Sequence, residues 1–216
     1  MAPRGPPRTR QRACGHDSRA TPFNDRSGNQ AGVVALGWYY GLWDAVVAGT
    51  VAVAVAAVGS VEMHRLGAIN RRLPTPAAHK RLLFESSIEI VLGVLAFIAL
   101  VTYVIAWDGA LIARLFGPDP PIPVVYLTLS ILWDLTYRIG TSWWSAVVAL
   151  WRAVYVDLPP TATTSRVRRL DAENVAFSAI QFALVPFLLE EPVLLGAVVG
   201  HVLAVAIVCS AAIALS

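Results

Sequence analysis

Residues 132–155 read LWDLTYRIGTSWWSAVVALWRAVY. An aspartate, Asp134, and an arginine, Arg138, stand inside a run that is otherwise mostly apolar and aromatic. The solvent around that run decides what two opposite charges do there. A helical pattern holds from about Val124 to Val156, roughly 33 residues or ~50 Å, which exceeds the ~30 Å hydrocarbon core of a bilayer. The expected membrane part is 124–145, with the helix extending to 156 and Trp143, Trp144 and Trp151 forming an interfacial belt. A break at Gly140-Thr141-Ser142 is the alternative.

Within this segment Tyr126, Ser130, Asp134, Arg138, Thr141, Ser145 and Arg152 recur at offsets of 4, 4, 4, 3, 4 and 7. That spacing keeps them on one helical face. A charge at mid-bilayer depth costs about 2.5–3.5 kcal/mol on insertion scales, so the face must look at protein or water rather than lipid. Asp134 and Arg138 are four residues apart and predict a pair along the helix. Glu89, Thr141, Ser145, Gln181 and His201 are further candidates for a polar intramembrane site with this pair. Each has a plainer reading: Glu89 as a first-turn acid favoured by the helix dipole, and Gln181 and His201 as hydrogen-bonded packing groups.

The surrounding chain supports the membrane reading. Its 216 residues are 56% hydrophobic and 14% charged, against about 45–50% and 25% in soluble domains. The charges crowd into the first thirty residues and two loops, leaving long apolar stretches between. The expected fold is all-α: a polytopic membrane helical bundle of about five transmembrane helices behind a disordered N-terminal tail. The spans lie near 38–61, 84–107, 124–145, 174–189 and 193–215, within a membrane domain covering 32–216. Residues 1–31 are rich in Pro, Gly and Arg, carry too little apolar surface to offset ordering, and are read as disordered.

Loops 62–83 and 157–173 are rich in arginine, whereas 108–123 and 190–192 are not. The bias places the first two in the cytoplasm and, with five spans, the N-terminus outside. Six arginines in residues 1–31 oppose that orientation. Two accounts fit: another number of spans, or a translation start further downstream, at Val33 or Val34, which would make the tail dispensable. Asp171 is expected to cap the helix that follows it.

Net charge is +3, but the basic residues flank apolar spans, which points to topology rather than to nucleic acid. Cys14 and Cys209 form neither a disulfide framework nor a metal spacing. Neither a GxGxxG nor a P-loop is present. No catalytic, cofactor-binding or metal-binding set is predicted. The expected partner is the lipid bilayer of a cell membrane, crossed several times. Ala48, Ala52, Ala56 and Ser60 recur every four residues and predict a close-packing face, a candidate interface for a second copy or a membrane partner.

The stretch WDLTYRIGTSWWSAVVALWRAVY, with the loop after it, resembles small multi-pass membrane proteins of unknown function from haloarchaea. The resemblance covers mainly residues 124–170 and implies no activity. Two functions remain in view. One is a small transporter or channel-like protein built around Asp134 and Arg138. The other is a non-catalytic membrane scaffold or subunit, assembled through the small-residue face of the first span. An intramembrane enzyme is the weakest reading, because no paired His, Asp or Ser motif is present.

Overall fold

Prolines and glycines set the helix boundaries. Gly41, at φ +70°, closes the first helix and turns the chain into the second. Pro121 and Pro123 open the long central helix, and Pro192 opens the last one, positions where a missing amide costs nothing. Gly117, at φ +81°, ends a short helix and donates its amide to Ala113.

The computed structural model describes residues 22–107, 110–156 and 162–216. The described residues are helical throughout their regular structure. The helices are α1 (Pro22–Tyr40), α2 (Trp43–Arg72), α3 (Ala77–Phe84), α4 (Ile88–Val101), α5 (Ala110–Phe116), α6 (Ile122–Tyr155), α7 (Ala162–Ala179), α8 (Val185–Leu188) and α9 (Pro192–Leu215). A π-helical turn, Thr102–Trp107, extends α4, and a 3-10 turn, Ile180–Leu184, joins α7 to α8.

The all-α bundle is therefore present, with corrections to its parts. Four stretches are long and apolar enough to cross a membrane: Trp43–Arg72, Ala77–Ala106, Ile122–Tyr155 and Pro192–Leu215. The expected fourth span, 174–189, is not among them. Its helix starts twelve residues earlier, at Ala162, in the Arg-rich stretch, and loses α-helical pitch before Pro186. Proline removes one intrahelical bond and its ring crowds the carbonyl four residues back, here that of Phe182.

The first span likewise begins at Trp43, not 38, and continues through the expected loop to Arg72. Leu66 and Ile69, in that extension, pack on a small core of Leu73, Val167 and Leu170. The tail is also shorter than expected. Residues 22–31 are helical, Gln30 donates to the Thr50 hydroxyl at 3.0 Å, and Val33 packs with Val53 and Ile131. Residues 1–21 lie outside the described part.

The two ends of the bundle are distinct. At one end Arg65 of α2 pairs with Glu173 of α7 at 2.8 Å, and Arg168 donates to the Ser216 carbonyl. The regions 62–83 and 162–173 thus share one end, called the basic end below. At the opposite end Arg114 pairs with Glu190 and, at 3.6 Å, with Glu191. The segment 162–188 accordingly runs from one end to the other, making a fifth traverse that is not apolar enough to count as a span.

α6 is the axis. It passes through Gly140 unbroken, which removes the alternative of a break there. A Cβ at Gly140 would lie 2.7 Å from the Gly93 nitrogen and 2.8 Å from the Glu89 carbonyl oxygen. Only hydrogen fits, so α4 crosses α6 backbone to backbone. On another side Ala146 of α6 meets Val205 and Cys209 of α9, all at 0% exposure.

Candidate functional site

The i,i+4 spacing of Asp134 and Arg138 produces the expected pair. The Arg138 Nη2 lies 2.6 Å from Asp134 Oδ1 and 2.7 Å from Oδ2, and Nε lies 3.3 Å from Oδ2. The two ends differ in environment. The arginine side chain is 5% exposed and the aspartate 35%. Arg138 is enclosed because α2 offers Gly59 opposite it. A Cβ there would come within 3.0 Å of Arg138 Cδ and 2.9 Å of Phe177 Cε2. The Nη1 of Arg138 is buried without a partner, although each guanidinium nitrogen can donate.

Toward the basic end, past Phe177, lies a crevice of about 290 Å³. Its polar walls come from α2 (Ser60, His64, Asn70, Arg71), α4 (Glu89), α6 (Tyr137, Thr141, Ser142, Ser145) and α7 (Asn174). Here the spacing of the α6 stripe meets the opposing helices. Thr141 spends its hydroxyl on the Tyr137 carbonyl at 3.0 Å. Ser142 donates to Asn174 Oδ1 at 3.2 Å, and Asn174 Nδ2 returns a bond to the Ser142 carbonyl at 3.1 Å. Glu89 keeps one carboxylate oxygen, Oε2, buried and without a partner. Trp144 also lines the crevice and donates its indole N–H to the Leu82 carbonyl at 2.8 Å. It fastens α3 to α6.

The predicted site residues thus separate into three groups. Glu89, Thr141 and Ser145 share the crevice. Asp134 and Arg138 lie beyond it along α6, and among the described residues no ion pair joins Glu89 to Arg138. Gln181 and His201 stand apart from both. Their side-chain nitrogens face each other at 3.4 Å, and His201 lines a second, apolar cavity. The small-residue face of α2 is used inside the chain: Ala56 and Ser60 are 4% and 5% exposed, and Ala48 and Ala52 line the apolar cavity.

Sequence reasoning missed one polar centre. Arg152 of α6 and Asp171 of α7 form a second ion pair, Nη2 to Oδ2 2.5 Å. Asp171 is the partner of Arg152 rather than a helix cap, since α7 begins at Ala162. Burial pushes the Asp171 carboxyl up to about 6, against the opposing pull of the Arg152 guanidinium. His79 of α3, 2% exposed, has both ring nitrogens without partners. The signal that could have found the pair was Arg152 itself, the last member of the α6 stripe, which had no acid within one turn on its own helix.

A family model described as a family of unknown function, DUF7530, matches residues 27–212. The chain belongs to the DUF7530 family. The matched region starts inside α1 and contains every residue of the three groups above, along with Arg152 and Asp171. No curated protein and no solved structure matches the chain.

Proposed function

We propose that this DUF7530 member is an integral, multi-pass membrane protein and acts as a small carrier or channel-like protein. Four apolar helices cross the bilayer, and the interrupted segment 162–188 makes the fifth traverse within the bundle. The polar crevice admits a small polar solute from the basic end. The observation that carries this reading is the crevice itself: about 290 Å³ lined by Thr141, Ser142, Ser145 and Glu89 on helices otherwise apolar enough to span a membrane. A polar hollow at that place is costly unless water or solute occupies it. Glu89 puts an acidic side chain in the wall of that crevice.

Liposome swelling tests the proposal. Vesicles containing the purified protein are challenged with a panel of small polar solutes, namely glycerol, urea, acetate and choline. Entry of at least one should be faster than into protein-free vesicles, and Ser145→Trp, which fills the crevice, should abolish the difference. Swelling traces identical to those of protein-free vesicles for every solute would refute a permeation role for this set.

A further inference from the structure

We infer that the polar crevice at the basic end selects a small zwitterion, a free solute carrying an anionic carboxylate or phosphate group and an ammonium group. This deepens the reading above and rests on the crevice being open to solute. Two opposite charges line the crevice, Arg71 of α2 and Glu89 of α4. Among the described residues neither belongs to an ion pair. A charge in a partly enclosed wall is costly without a counter-charge. A purely anionic or purely cationic ligand satisfies one of the two and is repelled by the other, whereas a dipolar ligand satisfies both.

The two charges stand at different depths. Ser60, His64, Gly67 and Arg71 line the crevice at offsets of 4, 3 and 4, so one face of α2 forms its wall. The Arg71 side chain is held at the mouth. Its guanidinium carbon lies 5.0 Å from the centroid of the Phe84 ring, and a Cβ at Gly67 would stand 3.4 Å from its Nη2. Lys80 donates to the Arg71 carbonyl at 3.2 Å, which brings a second cation to that end. Deeper in, the Glu89 carbonyl packs at Gly140. Gly67 is eight residues past Gly59, which faces Arg138, whereas Gly140 is two residues past Arg138. At ~1.5 Å per residue the guanidinium lies on the order of 10 Å nearer the basic end than Glu89. That gap is too wide for a direct pair and suits one dipolar molecule between them. The hollow of about 290 Å³ holds about ten heavy atoms at ~30 Å³ each, the size of an amino acid or a betaine. Tyr137, Trp144 and Phe177 line it as well, and aromatic walls attract an alkylated ammonium.

Calorimetric titration of the full chain in dodecyl maltoside, an uncharged detergent, tests the inference with three probes of similar shape. They are glycine betaine, its carbon isostere 3,3-dimethylbutanoate, which lacks the cation, and choline, which lacks the anion. Betaine should bind about tenfold more tightly than either, a difference of ~1.4 kcal/mol. Arg71→Gln should bring betaine down to choline without weakening choline, and Arg71→Lys should keep part of the preference. Glu89→Gln should bring betaine down to dimethylbutanoate. If Glu89→Gln fails to fold, Arg71→Gln and the wild-type order of probes still decide. Absent or equal binding of the three probes, or a betaine preference that survives both charge variants, would overturn the inference. Repeating the titration in phosphatidylcholine nanodiscs separates the sources. Unchanged betaine affinity supports a free solute, and loss of betaine binding there would give the site to a lipid headgroup and overturn the free-solute assignment. The swelling assay stays independent of these titrations: a betaine preference without permeation of any solute supports the site and refutes the carrier reading, and permeation without a betaine preference does the reverse.

Discussion

Arg152 and Asp171 form the most enclosed ion pair among the described residues, with Nη2 2.5 Å from Oδ2 and side chains 3% and 5% exposed. The pair ties α6 to α7 at the basic end. Neither charge has water to fall back on, so truncating one partner strands the other. Arg152→Met or Asp171→Leu alone should each cost about 3–5 kcal/mol, and the double variant should recover much of that loss. Unfolding in detergent gives the coupling energy of the cycle. Additive losses would show that the pair is not a unit.

The same pair sets a pH dependence. The folded-state value of Asp171, about 6, lies above its ordinary 3.8. Between those values the folded protein holds more protons than the unfolded one, so stability falls as pH rises from about 4 to about 6. Asp171→Asn should flatten this part of the stability profile measured by thermal unfolding. A profile that rises equally in both proteins over that range would contradict the assigned direction.

Asp134 and Arg138 should respond unequally. Asp134→Ala leaves a guanidinium that is 5% exposed with no acid, whereas Arg138→Met leaves a carboxylate that is 35% exposed. The first should cost about 3–5 kcal/mol and the second clearly less, because the less enclosed carboxylate can turn toward other partners, whereas the enclosed guanidinium has no room to do so. The double variant should be more stable than Asp134→Ala alone. Detergent unfolding of the four proteins checks the order, and a larger loss for Arg138→Met would reverse the burial argument.

Gly140 and Gly93 give the packing test. Any Cβ at Gly140 meets α4 backbone at 2.7–2.8 Å, and backbone cannot rotate away. Gly140→Ala should destabilise by about 1–3 kcal/mol through forced separation of the helices. Gly196→Ala, whose Cβ would meet nothing within 4 Å, should lie within about 0.5 kcal/mol of wild type. Equal melting temperatures for both variants would mean that the α4–α6 crossing is not tight.

The helical class was legible because apolar runs and charge clusters alternate at the length of a bilayer, a signal carried by dozens of residues. The Asp134–Arg138 pair was legible for a local reason, since an i,i+4 contact needs only one helix. Contacts between helices were not. Asp171 looked like a cap because its partner, Arg152, is 19 positions away on another helix. The extension of α2 to Arg72 was hidden because the apolar residues that pack there, Leu66 and Ile69 among them, stand in text otherwise rich in charge. Residues 22–31 read as tail because their helix is held by α2 and α6 rather than by propensity. The crevice needed α2, α3, α4, α6 and α7 to meet, and only its α6 wall was written as a periodic stripe.

Thiol accessibility tests the polar crevice most directly. Thr141→Cys and Ser145→Cys line it, and Ala146→Cys, at 0% exposure, is the dry control on the same turn. In sealed vesicles of known orientation, a membrane-impermeant methanethiosulfonate reagent should modify positions 141 and 145 from the side of the basic end. It should fail from the other side, and position 146 should stay unmodified from both. Positions 141 and 145 as inert as position 146, from either side, would mean a crevice closed to water and would contradict the account.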